Sequence, residues 1–304
     1  MKTIALQRLD ETAASDLVAL SSSLGWDYSS EDVRTILACG IVYGHWSAED
    51  GVVSSAAIFP YGDRLASIGM VMVREPYRGQ GLGKAVTQKC IDALPSGVPI
   101  MLIATPEGIP LYERLGFQTV ETIEKLLCDR YQQPAGGVTP AGVKSNEGNP
   151  AADRSARLHN GYHLCEMTAD DVEAVMDLDE AAVGGRRCSF LQARMMQSAR
   201  QAVIKRPDGT IAGFGLAVQG PELLLLGPIV APDCELALAL IDHLASRHEG
   251  NLRIDIPAKQ QALRSGLLKR GFCKATQPPV MLKGADQLPS RNDTLFAIAA
   301  QAFG

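Results

Sequence analysis

Arg78-Gly79-Gln80-Gly81-Leu82-Gly83 places three glycines at alternate positions, after an apolar run and before a helical pattern. Glycine lets backbone N–H groups approach a phosphate closely, and the first turn of a helix adds unpaired donors and a favourable dipole. The segment therefore reads as an anion loop, in which Arg78 can also pair a phosphate. It is neither common nucleotide loop. A Walker A loop needs glycine at the first position and Ser or Thr at the last, where this chain has Arg78 and Ala85. A dinucleotide fingerprint read from Gly79 or Gly81 ends on Lys84 or Val86 instead of glycine.

The loop needs a strand before it and a helix behind it. Leu65 to Val73 is mostly apolar, with β-branched Ile68, Val71 and Val73, and is expected to be a buried strand. Leu82, Ala85, Val86, Ala93 and Leu94 recur at roughly helical spacing. Val98 to Ala104 is a second apolar strand, followed by Thr105-Pro106-Glu107-Gly108 and a short helix that Gly116 would end before Phe117.

Arg-x-x-Gly-x-Gly after a strand resembles the acyl-CoA loop of the GCN5-related N-acetyltransferases (GNAT), and Leu111-Tyr112-Glu113-Arg114-Leu115-Gly116-Phe117 resembles that family's second signature. The resemblance implies an α/β fold of mixed, mostly antiparallel sheet flanked by helices, with acetyl-CoA as cosubstrate and no metal. It implies that Arg78, Gly79, Gln80, Gly81, Leu82 and Gly83 hold the pyrophosphate. It implies too that Val71, Met72 and Val73 hydrogen-bond the pantetheine like an added strand, one of their N–H groups polarising the thioester carbonyl. Tyr112 falls where the family carries its general acid. A thiol titrates near 8.5 and a phenol near 10, so a phenol can return a proton to a leaving thiolate at modest cost. For the base, Asp27 and Glu75 are both candidates. Trp26, Asp27 and Tyr28, in a turn between two early helices, are expected to line the acceptor pocket, with core packing an equal reading of the two aromatic rings.

At 304 residues the chain exceeds ordinary single-domain size, and 46% hydrophobic with 21% charged residues is globular composition. A net charge of −5 argues against a nucleic-acid partner. Seven scattered cysteines without a Cys-x-x-Cys pair read as reduced thiols rather than a disulfide framework or zinc site. With no signal-like apolar segment and no run of membrane-spanning length, a cytoplasmic protein without a membrane partner is expected.

After residue 160 the pattern repeats faintly, and Ser265-Gly266-Leu267-Leu268-Lys269-Arg270-Gly271-Phe272 echoes the second signature. The chain resembles a tandem acetyltransferase whose second copy is similar to the carboxy-terminal domains of the YitH-like group. The expected division is a catalytic domain over 1–130, a Pro/Gly-rich flexible linker over 131–160, a degenerate copy over 161–285 that shapes the acceptor site, and a tail helix over 286–304. The second copy is degenerate because Ala231-Pro232-Asp233-Cys234-Glu235 replaces the glycine loop and repels a phosphate, and leucine replaces Tyr112. The implied activity is transfer of acetyl from acetyl-CoA to a primary amine of a small molecule in a ternary complex, an aminoglycoside-type antibiotic being one acceptor by analogy. A non-catalytic acetyl-CoA sensor and a protein-lysine acetyltransferase are the alternatives. Oligomeric state is not set by the sequence.

Overall fold

The computed structural model describes residues 4–26, 28–133, 156–246 and 248–304. The first half runs β1 (Ile4–Leu9), α1 (Ala14–Ser23), α2 (Ser30–Cys39), β2 (Ile41–Ser47), β3 (Gly51–Tyr61), β4 (Leu65–Val73), α3 (Leu82–Asp92), β5 (Ile100–Ile103), α4 (Ile109–Arg114) and β6 (Gln118–Cys128). The second continues β7 (Ala156–Arg157), β8 (His163–Glu166), α5 (Val172–Val183), α6 (Cys188–Gln197), β9 (Ser198–Lys205), β10 (Ile211–Gln219), β11 (Leu223–Val230), α7 (Cys234–Ala245), β12 (Asn251–Pro257), α8 (Gln261–Leu268), β13 (Cys273–Thr276), β14 (Pro279–Lys283) and β15 (Leu295–Ala297). Ser29 caps α2 through a reciprocal pair with Asp32, as a serine before an apolar helix should.

All these strands join one sheet in the order β1-β2-β3-β4-β5-β14-β6-β12-β11-β10-β9-β8-β7, with β13 on β6 and β15 on β11. The halves exchange strands. β14, from the second half, sits between β5 and β6, pairing Val280 with Ile103 and Pro279 with Thr122. The far end of β6 sits between β12 and β13, pairing Lys125 with Asp255 and Leu127 with Cys273. The first half thus lacks a complete sheet of its own, although its sequence is expected to form a domain over 1–130. One apolar cluster runs through both halves, from Leu17, Ile36 and Phe59 to Phe190, Phe214 and Phe303.

Two expectations are corrected. The ends of the 131–160 linker are structured. Tyr131 hydrogen-bonds Asp242 and packs edge-on to Phe272 at 6.1 Å, and Ala156 is buried in β7. Residues 134–155 lie outside the described residues. The 286–304 tail is not a helix. Leu295 to Ala299 are all buried, so the segment has no polar side to show to water, which an amphipathic surface helix requires. Its backbone instead pairs with β11 at Ile229 and Val230, and Ile298 donates to the Asp255 carbonyl at 2.9 Å.

The tail lies where each half's parallel strand pair opens. β11 and β12 pair only from Leu223 to Leu226, and β15 fills the gap beyond. Gly227 admits it: a Cβ there would stand 2.1 Å from the Ile298 carbonyl oxygen. β4 and β5 pair only from Ala66 to Ile68. There a Cβ on Gly69 would stand 2.3 Å from the Ala302 carbonyl oxygen, while among the described residues the edge from Met70 to Val73 has no strand partner on that side.

Candidate active site

The glycine loop lies where the sequence puts it. Gly79 and Gly81 have φ of +77° and +80°, and nothing stands within 4 Å of a Cβ built on either, so the loop is concave and open. Gly81 caps α3 with no side chain on the first-turn N–H groups. Those donors face a cavity of about 750 Å³, lined by Val71, Met72, Val73, Arg78, Gly79, Gly81, Leu82 and Gly83 among others. Lys84 and Arg114 join Arg78 in the lining against one carboxylate, Glu107, so the mouth is net positive. Of the expected loop residues, Gln80 turns elsewhere and bonds the Pro76 carbonyl at 3.4 Å. Uncapped N–H groups, glycine concavity and cationic side chains fit a diphosphate.

At the open edge of β4, Met70 has a φ of +54°, rare for a residue other than glycine. It marks a β-bulge, since the register with β3 shifts between Ser55 and Ala57. Buried Ser55 secures the bulge, its hydroxyl donating to the Met70 carbonyl at 2.8 Å. In a trans peptide C=O and N–H point opposite ways, so the Val71 N–H is turned away from Ser55, and Val71 lines the cavity.

Tyr112 is buried on α4, its ring edge-on to Phe117 at 6.0 Å. Gly108 makes room: a Cβ there would meet the Tyr112 ring at 2.7 Å. The ring therefore lies back along its own helix, the usual direction of long helical side chains. Burial pushes the Tyr112 phenol above its ordinary pKa, so it holds its proton through the neutral range. Tyr112, Val71, Trp26 and Thr105 also line a second chamber of about 260 Å³ that continues from the first.

Trp26 and Tyr28 line this chamber and also pack on the core. Their turn is held by Ser21, whose carbonyl accepts from the Trp26 N–H and whose hydroxyl donates to the Trp26 carbonyl, both at 3.1 Å. Asp27 lies outside the described residues. Glu75 is exposed in the turn after β4, outside both linings. The sequence reading missed Lys125, Arg253 and the tail residues Ala300, Gln301 and Ala302, which close the chamber. No local motif could have found them, because only the pairing of distant strands and the docking of the tail bring them to the chamber that Tyr112 lines.

A family model described as an acetyltransferase (GNAT) domain matches residues 42–119, and another with the same description matches 175–297. Over 300 residues the chain is 32% identical to an uncharacterized N-acetyltransferase, YitH, of Bacillus subtilis (strain 168), covering 98% of each. The chain belongs to the GCN5-related N-acetyltransferase family. It is a tandem GNAT chain, and a GNAT acetyltransferase depends on acetyl-CoA. The fold is shared with a putative acetyltransferase of Pyrococcus horikoshii at a TM-score of 0.75 and 20% identity, covering 100% of this chain and 97% of that one. It is also shared with a tandem GNAT protein from the clavulanic acid biosynthesis pathway at 0.63 and 14%, covering 94% and 100%. Among the described residues no helix is long and apolar enough to cross a membrane.

Proposed function

We propose that this GNAT chain moves the acetyl group of acetyl-CoA to a primary amine of a small molecule, both substrates being bound together. The observation that supports this most is the meeting of two chambers at Tyr112, a cationic glycine-lined one and an inner one closed by the tail. The loop Arg78–Gly83 holds the diphosphate through main-chain N–H groups and the Arg78 side chain. The edge Val71–Val73 pairs with pantetheine, and the Val71 N–H receives the charge that grows on the thioester oxygen. As the amine nitrogen bonds the carbonyl carbon and the carbon–sulfur bond breaks, Tyr112 gives its proton to the departing sulfur and recovers one from water, while the amine loses its own to water.

The second half contributes the inner chamber rather than a second donor site. Asp233 caps α7 itself, accepting the Leu236 N–H at 2.9 Å where a phosphate would bind, and β15 fills the strand gap that pantetheine would need. A chamber of this size, walled by residues of both halves, favours a small amine over a protein lysine. The test is thiol release from acetyl-CoA across a panel of amines, aminoglycosides included. Binding of acetyl-CoA without turnover on any amine would favour a non-catalytic sensor instead.

A further inference from the structure

We infer that Gln301, in the tail, is a specificity-determining residue: its carboxamide oxygen accepts a hydrogen bond from a hydroxyl or amide N–H that the acceptor carries at a distance from its reacting amine. This deepens the reading of the inner chamber as the acceptor site and rests on it. Gln301 is half-buried and lines the chamber between Ala300 and Ala302, which line it too but have no polar side-chain atom. Its Nε2 donates to the Asp255 carboxylate at 3.3 Å.

Asp255 decides which way the amide points. It has no exposed surface and takes the Arg253 guanidinium at 2.7 Å (Nη2) and 3.1 Å (Nε). A carboxylate paired with a guanidinium only accepts, so Gln301 must turn its NH2 group toward Asp255 and its oxygen away. Among the described residues that oxygen has no hydrogen-bond partner, and it is not buried. The backbone around Gln301 is fixed on both sides. The Ile298 N–H donates to the Asp255 carbonyl at 2.9 Å, and Ala302 abuts Gly69, where a Cβ would stand 2.3 Å from the Ala302 carbonyl oxygen. Little freedom therefore remains to be lost when a ligand docks on the amide.

Position in the sheet separates this amide from the chemistry. Val71 is on β4, and β5, β14 and β6 stand between β4 and β12, which carries Asp255. The Gln301 amide, held on Asp255, is thus at the end of the chamber away from Val71, and the group it meets is not the reacting amine. Between walls that include apolar Trp26, Ile68, Met70 and Ile103, one oriented amide fixes the end-to-end direction of a small acceptor. A methyl in place of the acceptor's hydroxyl would cover the carboxamide oxygen and leave it unpaired, which costs more than a hydrogen bond contributes.

The test uses the full chain with acetyl-CoA and amines matched in size: ethanolamine against propylamine, and the longer homologues of each, so that a methyl replaces a hydroxyl at every length. At one length the amino alcohol should exceed its alkylamine roughly ten-fold in kcat/KM. Gln301→Met, equal in reach but without the amide, should remove that preference through KM for the amine. It should leave kcat and KM for acetyl-CoA nearly unchanged, whereas a merely structural role would move all three. Gln301→Glu keeps an oxygen at the same reach and should retain the preference. It should also favour diamines over amino alcohols more than the unaltered chain does, through a charge-assisted hydrogen bond. That shift keeps the test open should a melting curve show Gln301→Met unfolded, and its absence would count against the inference. Where only larger amines turn over, Gln301→Met must raise KM for a hydroxylated one, and an unchanged KM would sink the idea. Alkylamines turning over as well as amino alcohols at every length, or a preference that survives in Gln301→Met, would overturn the inference and leave acetyl transfer to small amines standing. No turnover on any amine, with acetyl-CoA still raising the thermal midpoint, would remove the acceptor-site reading and this inference with it.

Discussion

Tyr112 sits where two chambers meet, and among the described residues its hydroxyl has no side-chain partner, so its removal leaves no buried group unpaired. Tyr112→Phe should therefore lower kcat by roughly 100-fold or more, the usual worth of a positioned acid, with KM for acetyl-CoA and the thermal midpoint nearly unchanged. Steady-state kinetics with a melting curve would check this, and full activity of the variant would exclude the acid role. Its pH dependence follows from burial. The phenol is raised above its ordinary value, so the acid form persists as pH rises past the point where an exposed tyrosine would ionise. The kcat/KM profile should climb with pH as the amine loses its proton and show no alkaline fall below about pH 10. A falling limb near pH 8 would assign the proton to another group. Tyr112 and its motif are legible in the sequence; the space that Gly108 opens for its ring is not, since that is a contact of 2.7 Å rather than a pattern.

Single elements carry the next tests. The α3 cap needs Gly81 twice, for its φ of +80° and for the open space in front of it. Gly81→Ala should cost about 1–2 kcal/mol of stability through left-handed strain. It should also raise KM for acetyl-CoA roughly ten-fold by crowding the N–H cradle, through loss of charged hydrogen bonds. Gly69 answers to another element. Its Cβ would push the Ala302 backbone away, so Gly69→Ala should cost roughly 1–3 kcal/mol by overpacking and raise KM for the amine more than for acetyl-CoA. Equal effects on both substrates would detach the tail from the acceptor chamber. The glycine loop was plain from its flanking strand and helix. Leu295, Phe296, Ile298 and Ala299 suit the apolar side of a helix, yet the run from Leu295 to Ala299 is wholly buried and Leu295–Ala297 pairs with β11 as a strand.

Across the whole molecule the exchange of β6 and β14 binds the halves more firmly than a flexible tether would. Asp32, which caps α2, also accepts a hydrogen bond from buried Arg194 of α6 at 2.9 Å, a second tie between them. Unfolding should therefore be one cooperative event, with calorimetric and van't Hoff enthalpies in agreement. Two separated transitions would contradict the shared core. For the same reason, residues 1–133 expressed alone should fail to melt cooperatively, because β5 and β6 lose the strand that joins them.

Local order was written into the chain itself. Alternating glycines, a capping serine, apolar runs and the signature around Tyr112 act within one turn or one strand, where near neighbours set conformation. They are enough to specify two related folds and the glycine loop of the first. The company that strands keep is another matter. Which strand fills the gap beside β5, where the tail settles, and that Lys125 and Arg253 line one chamber with Tyr112 all depend on pairing between distant segments. Many registers satisfy the same apolar pattern, and only the packed molecule selects one.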